Sequence, residues 1–118
     1  MVELNNRQNQ QLDQIFHALA DSTRRRILDQ LKMEPQRVTD LAQDHQMSLN
    51  AVSKHLKVLE KADLINRRVQ GRAHLCSFNG ERLKEVEKWM ELYRVFWEQK
   101  LDALDKFITS ASTTSRKK

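Results

Sequence analysis

From Glu81 to the last residue the chain contains neither glycine nor proline, and over most of that stretch large apolar residues return every three or four positions. Leu83, Val86, Met90, Tyr93, Trp97, Leu101, Leu104 and Ile108 step by 3, 4, 3, 4, 4, 3 and 4. That rhythm keeps one face of a helix aligned, close to a coiled-coil seam. Trp89, Leu92, Phe96 and Phe107 widen the stripe. The spacing predicts a single helix over 81–108, about 42 Å long at roughly 1.5 Å per residue, longer than a small domain can cover. Surplus apolar surface of this kind calls for a second copy of the chain. The polar residues 110–118 are expected to form a disordered basic tail, behind a single domain over 1–109.

Breaks are scarce elsewhere too. With two glycines and one proline in 118 residues, a turn-rich all-β fold is excluded and a mostly α fold is expected. Two glycines are also too few for a phosphate-cradling loop or a dinucleotide fingerprint. Leu12, Ile15, Phe16 and Leu19 mark a first helix over about 8–19. Asp21 and Ser22 separate it from a second, over about 23–32, with Ile27, Leu28 and Leu31 on its apolar face. Val38, Leu41 and Ala42 give a short third helix, about 38–45. Ser48 reads as the N-cap of a fourth, running to about Ala62. INRRV and AHLCSF, separated by Gln70-Gly71-Arg72, read as two short strands around a glycine-containing turn.

The charge is uneven along this pattern. Residues 1–47 carry six Lys/Arg against seven Asp/Glu, and so do residues 81–109. Residues 48–80 hold Lys54, Lys57, Lys61, Arg67, Arg68 and Arg72 against Glu60 and Asp63 alone. In the fourth helix Val52, Leu56 and Leu59 face inward, which leaves Asn50, Ser53, Lys54 and Lys57 on a polar, cationic outer face. A helix of this kind followed by an arginine-bearing hairpin describes a winged helix-turn-helix. The helix enters the DNA major groove, and the hairpin reaches phosphates or the minor groove beside it.

Other classes find less support. No apolar run approaches the roughly 18 residues of a membrane span. The opening residues lack the basic start and apolar core of a secretory signal, so a cytoplasmic location is expected. The single cysteine, Cys76, cannot form an internal disulfide and reads as a small buried hydrophobe. No nucleophile, base and orienting group come together, so no enzyme is expected. The alternative is a helical protein–protein interaction module, with the long aromatic helix as its working surface and the basic hairpin incidental.

FHALADSTRRRILDQL, then VTDLAQDHQMSLNAVSKHLKVLEKADLINRRVQGRAHLCSFN, resemble the bacterial ArsR/SmtB family of dimeric winged-helix repressors. WMELYRVFWEQKLDALDKFI is similar to the long C-terminal helix of a subgroup that often lacks metal sites. The resemblance implies a homodimer joined through its first and last helices, here Leu12, Ile15 and Phe16 with Leu83, Val86, Met90, Tyr93, Trp97, Leu101 and Leu104. It also implies binding to a double-stranded DNA operator. Base and phosphate contacts would fall on Ser48, Asn50, Ala51, Ser53, Lys54 and His55, with Lys57 beside them and Arg67, Arg68 and Arg72 in the wing. His55 is equally readable as a helix-packing histidine. Thiolate sensors of the family carry a CxC pattern whose positions are Arg37 and Thr39 here, and residues 81–108 contain no histidine. No metal and no cofactor are therefore expected, and any effector or partner protein is left unnamed.

Overall fold

The computed structural model describes residues 5–116, with side chains through 111. Five helices and three short strands follow in the order α1 (Asn6–Leu19), α2 (Ser22–Met33), β1 (Gln36–Arg37), α3 (Val38–Asp44), α4 (Leu49–Lys61), β2 (Ile65–Gln70), β3 (Ala73–Phe78) and α5 (Leu83–Arg116). The fold is a winged helix-turn-helix.

Side-chain caps set the helix starts. Asn5 and Gln8 form a reciprocal capping box at α1, with bonds of 2.8 and 3.0 Å. Asp21 accepts the Arg24 amide at the head of α2, and Ser48 accepts the Ala51 amide at the head of α4. Each cap satisfies an amide that the helix itself leaves without a partner.

The ends of α3 and α4 are closed without glycine. Gln46 and Asp63 take left-handed conformations, φ 52° and 57°. After α3, the Met47 amide returns to the Ala42 carbonyl and the Gln46 amide to that of Gln43. After α4, Leu64 returns to Leu59 and Asp63 to Glu60 in the same way. This paired pattern is a Schellman closure, and it turns the chain sharply into the recognition segment and then into the wing.

The strands are antiparallel in the order β1-β3-β2. Gln70 pairs with Ala73 across the tip, leaving Gly71 and Arg72 as a two-residue turn. Gly71 has φ 62° there, a conformation glycine adopts without a Cβ penalty. The strand β1 is an addition to the two expected from sequence: Gln36 faces Cys76 and Arg37 faces Leu75.

Residues 2–86 and residues from 87 onward make two compact units; the core belongs to the first. That core gathers Ile15 and Ala18 of α1, Ile27, Leu28 and Leu31 of α2, Leu41 of α3, Val52, Leu56 and Leu59 of α4, then Leu64, Ile65 and Cys76. Leu83 and Val86 are partly buried against it. Ile15 is only 1% exposed and Leu12 is also buried. Both were expected at a dimer interface, but their area is already used inside the chain, and only Phe16 of the α1 trio remains exposed.

Beyond Val86, α5 bears its apolar stripe in the open: Met90, Tyr93, Trp97, Leu101 and Leu104 are each more than half exposed. Trp89 and Tyr93 meet at a tilt of 56° with centroids 5.0 Å apart, and Phe96 meets Trp97 edge-on at 6.0 Å. Arg94 forms ion pairs with Glu91 and Glu98, and its hydrogen bond to Glu91 holds that carboxyl below its usual range. The helix runs on to Arg116, through most of the segment expected as a tail, while 117–118 lie outside the described residues. No glycine or proline stops it, and the added serine and threonine residues weaken a helix without ending it. Among the described residues, no helix is long and apolar enough to cross a membrane.

Candidate nucleic-acid interface

The outward face of α4 follows from its inward one. With Val52, Leu56 and Leu59 fully buried, the helical period places Asn50, Lys54 and Lys57 on the opposite side, where all three are exposed. None of the three has an ion pair or side-chain hydrogen bond among the described residues. Ala51 and Ser53 are half-buried beside them. Ser48 is exposed at the start; its hydroxyl oxygen is engaged as the cap at 3.1 Å, which leaves its hydrogen to donate. The α4 face presents solvent-exposed donors and cations on a helix whose other side is buried in the core.

His55 departs from that face. Its Nδ1 lies 3.4 Å from an Arg24 guanidinium nitrogen and 4.0 Å from an Asp21 carboxylate oxygen. The side chain is 22% exposed. Arg24 also donates to the backbone carbonyls of Ala18 and His17 at 2.8 and 2.9 Å. One guanidinium thus ties the end of α1, the start of α2 and the middle of α4. Asp21 carries a lowered pKa, first through the Arg24 amide and then through the positive charges beside it. In the folded chain His55 is a packing residue of this corner. No local pattern marks this strut, because the partner of Arg24 on α4 lies 31 positions away.

The wing sorts its arginines by strand alternation. Arg67 shares a face of β2 with the buried Ile65 and lies opposite Cys76. It is therefore turned inward, where it meets Glu60 of α4 at 2.6 Å and is 20% exposed. Arg68 points to the other face and is exposed, as is Arg72 at the tip. Free positive charge in the wing is thus Arg68 and Arg72, and the expected contribution of Arg67 is drawn into an ion pair.

Between the wing and the helix-turn-helix lies a cleft of about 480 Å³. Arg37, Thr39, Ser53, Arg67, Arg72 and His74 line it together with apolar Val38, Leu49 and Ala73. Arg37 and Thr39, the two positions compared above with a thiolate motif, both face this space.

Cys76 is fully buried, and that burial pushes its thiol pKa up. A neutral, inaccessible thiol is a poor nucleophile. In the folded protein Cys76 is expected to react with a thiol-specific dye only as fast as the chain opens, and at full rate in denaturant; fast labelling of the folded protein would contradict the burial. His45 is likewise structural, its Nε2 2.9 Å from Gln30, which in turn donates to Asp44 at 2.7 Å. Among the described residues, no three His, Cys, Asp or Glu side chains group closely enough to hold a metal.

The family model described as bacterial regulatory protein, arsR family, matches residues 21–67, from the cap of α2 to the middle of β2. The transcriptional repressor SdpR of Bacillus subtilis is 33% identical over 79 residues, which cover 67% of this chain and 88% of that protein. A crystal structure of an ArsR family transcriptional regulator superposes with a TM-score of 0.73 at 36% identity, over 83% of this chain and 97% of the other. The solution structure of a homodimeric winged helix-turn-helix DNA-binding domain from Mycobacterium bovis, a possible ArsR-family regulator, gives 0.58 at 26% identity, over 87% and 95%. The chain belongs to the ArsR family of bacterial regulatory proteins, and is a DNA-binding transcriptional regulator with a winged helix-turn-helix fold.

Proposed function

We propose that this protein is a dimeric transcriptional repressor that reads an inverted-repeat operator through α4, anchors itself through the wing, and does not respond to metal. The observation that carries the reading is the face of Asn50, Lys54 and Lys57, exposed and unpaired on a helix whose other side is locked into the core. A bidentate amide such as that of Asn50 suits an adenine edge, and ammonium groups suit phosphate or guanine. Ser48 and Ser53 flank it with hydroxyls, while Arg68 and Arg72 supply backbone contacts from the wing.

A second copy covers the exposed seam of α5. A homodimeric relative supports this assignment. Two-fold symmetry makes the two α4 helices equivalent, so half-sites fall about one helical turn, ~34 Å, apart or a multiple of it. The naming of SdpR as a repressor supports the direction of control. Arg37 and Thr39 offer no soft ligand, and α5 carries no histidine among 83–116, which supports a regulator released by something other than a thiophilic metal.

Selection of bound duplexes from a random pool tests this reading. The expected product is an imperfect inverted repeat bound by two subunits. With about three phosphates neutralised per subunit, log affinity falls with log salt at a slope near −5. Zinc, cadmium or arsenite added at stoichiometric amounts leaves the complex intact. Recovery of sequences without repeat symmetry, or release by metal, contradicts the proposal.

A further inference from the structure

The cleft between the wing and the helix-turn-helix has a chemistry that the α4 face does not account for. Its nine lining residues include three arginines and a histidine and no acid. One of those arginines, Arg67, is already neutralised by Glu60. Arg37 and Arg72 are exposed and have no ion-pair partner among the described residues. Arg37 precedes α3 as its N-cap, and its side chain makes no capping bond.

The two free arginines line the same cleft. Arg37 lies opposite Leu75 on β3, three residues from Arg72, or about 10 Å along the strand. Thr39 and Ser53 set hydroxyl donors in the same wall. Leu49, a large apolar residue left 53% exposed on the first turn of α4, and Ala73 form the rest of it. Cations, hydroxyls and an apolar wall side by side match the sugar–phosphate backbone, an anion flanked by hydrophobic deoxyribose faces, better than they match a bare inorganic ion.

We propose that this cleft seats one backbone phosphate of bound DNA, held jointly by Arg37 from the start of α3 and Arg72 from the wing tip. The inference rests on the DNA-binding reading above and adds to it a contact from outside the recognition helix and the hairpin. A shared phosphate also fixes the wing relative to α3 on the duplex, so it orients the recognition helix without reading any base.

Titration of the full-length protein against a fluorescent random duplex of about 30 base pairs tests it, because a phosphate contact does not depend on sequence. Arg37→Ala is expected to weaken binding about tenfold or more for the dimer and to lower the salt slope by up to about two units, one phosphate in each subunit. Arg37→Lys restores most of the slope, since an ammonium still neutralises a phosphate. Arg37→Ala combined with Arg72→Ala weakens binding by less than the product of the two single losses, because both arginines serve one phosphate. Losses that simply multiply place the arginines on separate phosphates and overturn the shared site. If Arg37→Ala changes nothing while Arg72→Ala lowers affinity and slope, the cleft assignment fails and the DNA reading stands. If Arg37→Ala abolishes competition by inorganic pyrophosphate at constant ionic strength but leaves duplex affinity intact, the cleft holds a free anion and the proposal is wrong. A wild-type protein that binds no duplex overturns both readings together.

Discussion

A chain carrying Tyr93→Glu together with Trp97→Glu is expected to sediment as a monomer at tens of micromolar, where the unaltered protein sediments as a dimer. Both aromatics stand in the exposed stripe of α5, 51% and 60% accessible. Neither is a member of the buried core, so far-ultraviolet circular dichroism should be retained. Association, in contrast, would have to bury four carboxylates in an apolar seam, a cost that no counter-charge in the stripe offsets. The effect on DNA binding is larger than the loss of contact area suggests. In a dimer the second half-site is engaged by a subunit already tethered to the duplex, at an effective concentration of order millimolar. Losing that linkage should lower affinity for an inverted repeat by roughly a hundredfold to ten-thousandfold. A variant that remains dimeric would move the interface away from this stripe.

The second large effect is expected from Leu56→Ala. Leu56 is fully buried at the middle of α4, on the core side of the helix whose outer face we propose meets DNA. Truncating a leucine there leaves a cavity and costs about 2–5 kcal/mol, against a total of about 5–15 kcal/mol for a domain of this kind. At about 4–8 °C per kcal/mol for a unit of this size, the thermal midpoint should fall by roughly 10 °C or more. Lys57→Ala, one residue further on and exposed, should shift stability by no more than about 0.5 kcal/mol while weakening DNA binding. The pair separates what α4 does for the fold from what it does for the ligand, and thermal unfolding followed beside duplex titration reads both.

Much of this arrangement is legible in the chain because its signals are local. Asp21 and Ser48 each cap a helix three residues before the amide they accept, and the period of the apolar residues in α4 separates its core side from its cationic side without reference to anything distant. The ends of α3 and α4 are less visible. Gln46 and Asp63 close them in left-handed conformations, and neither residue type announces the turn as glycine would. Strand β1 is two residues long and pairs with β3 some forty positions later, so no local pattern marks it, and with it the cleft that Arg37 enters was hidden.

Apolar periodicity also says that a residue is covered, not by what. Leu12 and Ile15 fit a dimer stripe as well as they fit a core, and the core has them. The inward turn of Arg67 was within reach of the sequence: two residues after buried Ile65, it shares that strand face. The acid that receives it, Glu60, is the first acidic residue of α4. The pairing of His55 with Arg24 depends on the crossing of α4 over the corner between α1 and α2, which only the folded chain displays.

Base reading by α4 and backbone holding by the wing are separated by comparing Asn50→Ala with Arg72→Ala on a selected operator and on random duplex at one salt concentration. Asn50→Ala should cost about 1–3 kcal/mol per half-site on the operator, relax the preference at one base pair, and leave random duplex nearly unaffected. Arg72→Ala should weaken both duplexes by the same factor and flatten the salt slope. If instead Asn50→Ala lowers affinity for operator and random duplex equally, the face from Ser48 to Lys57 does no more than hold phosphate, and the account of sequence recognition is contradicted.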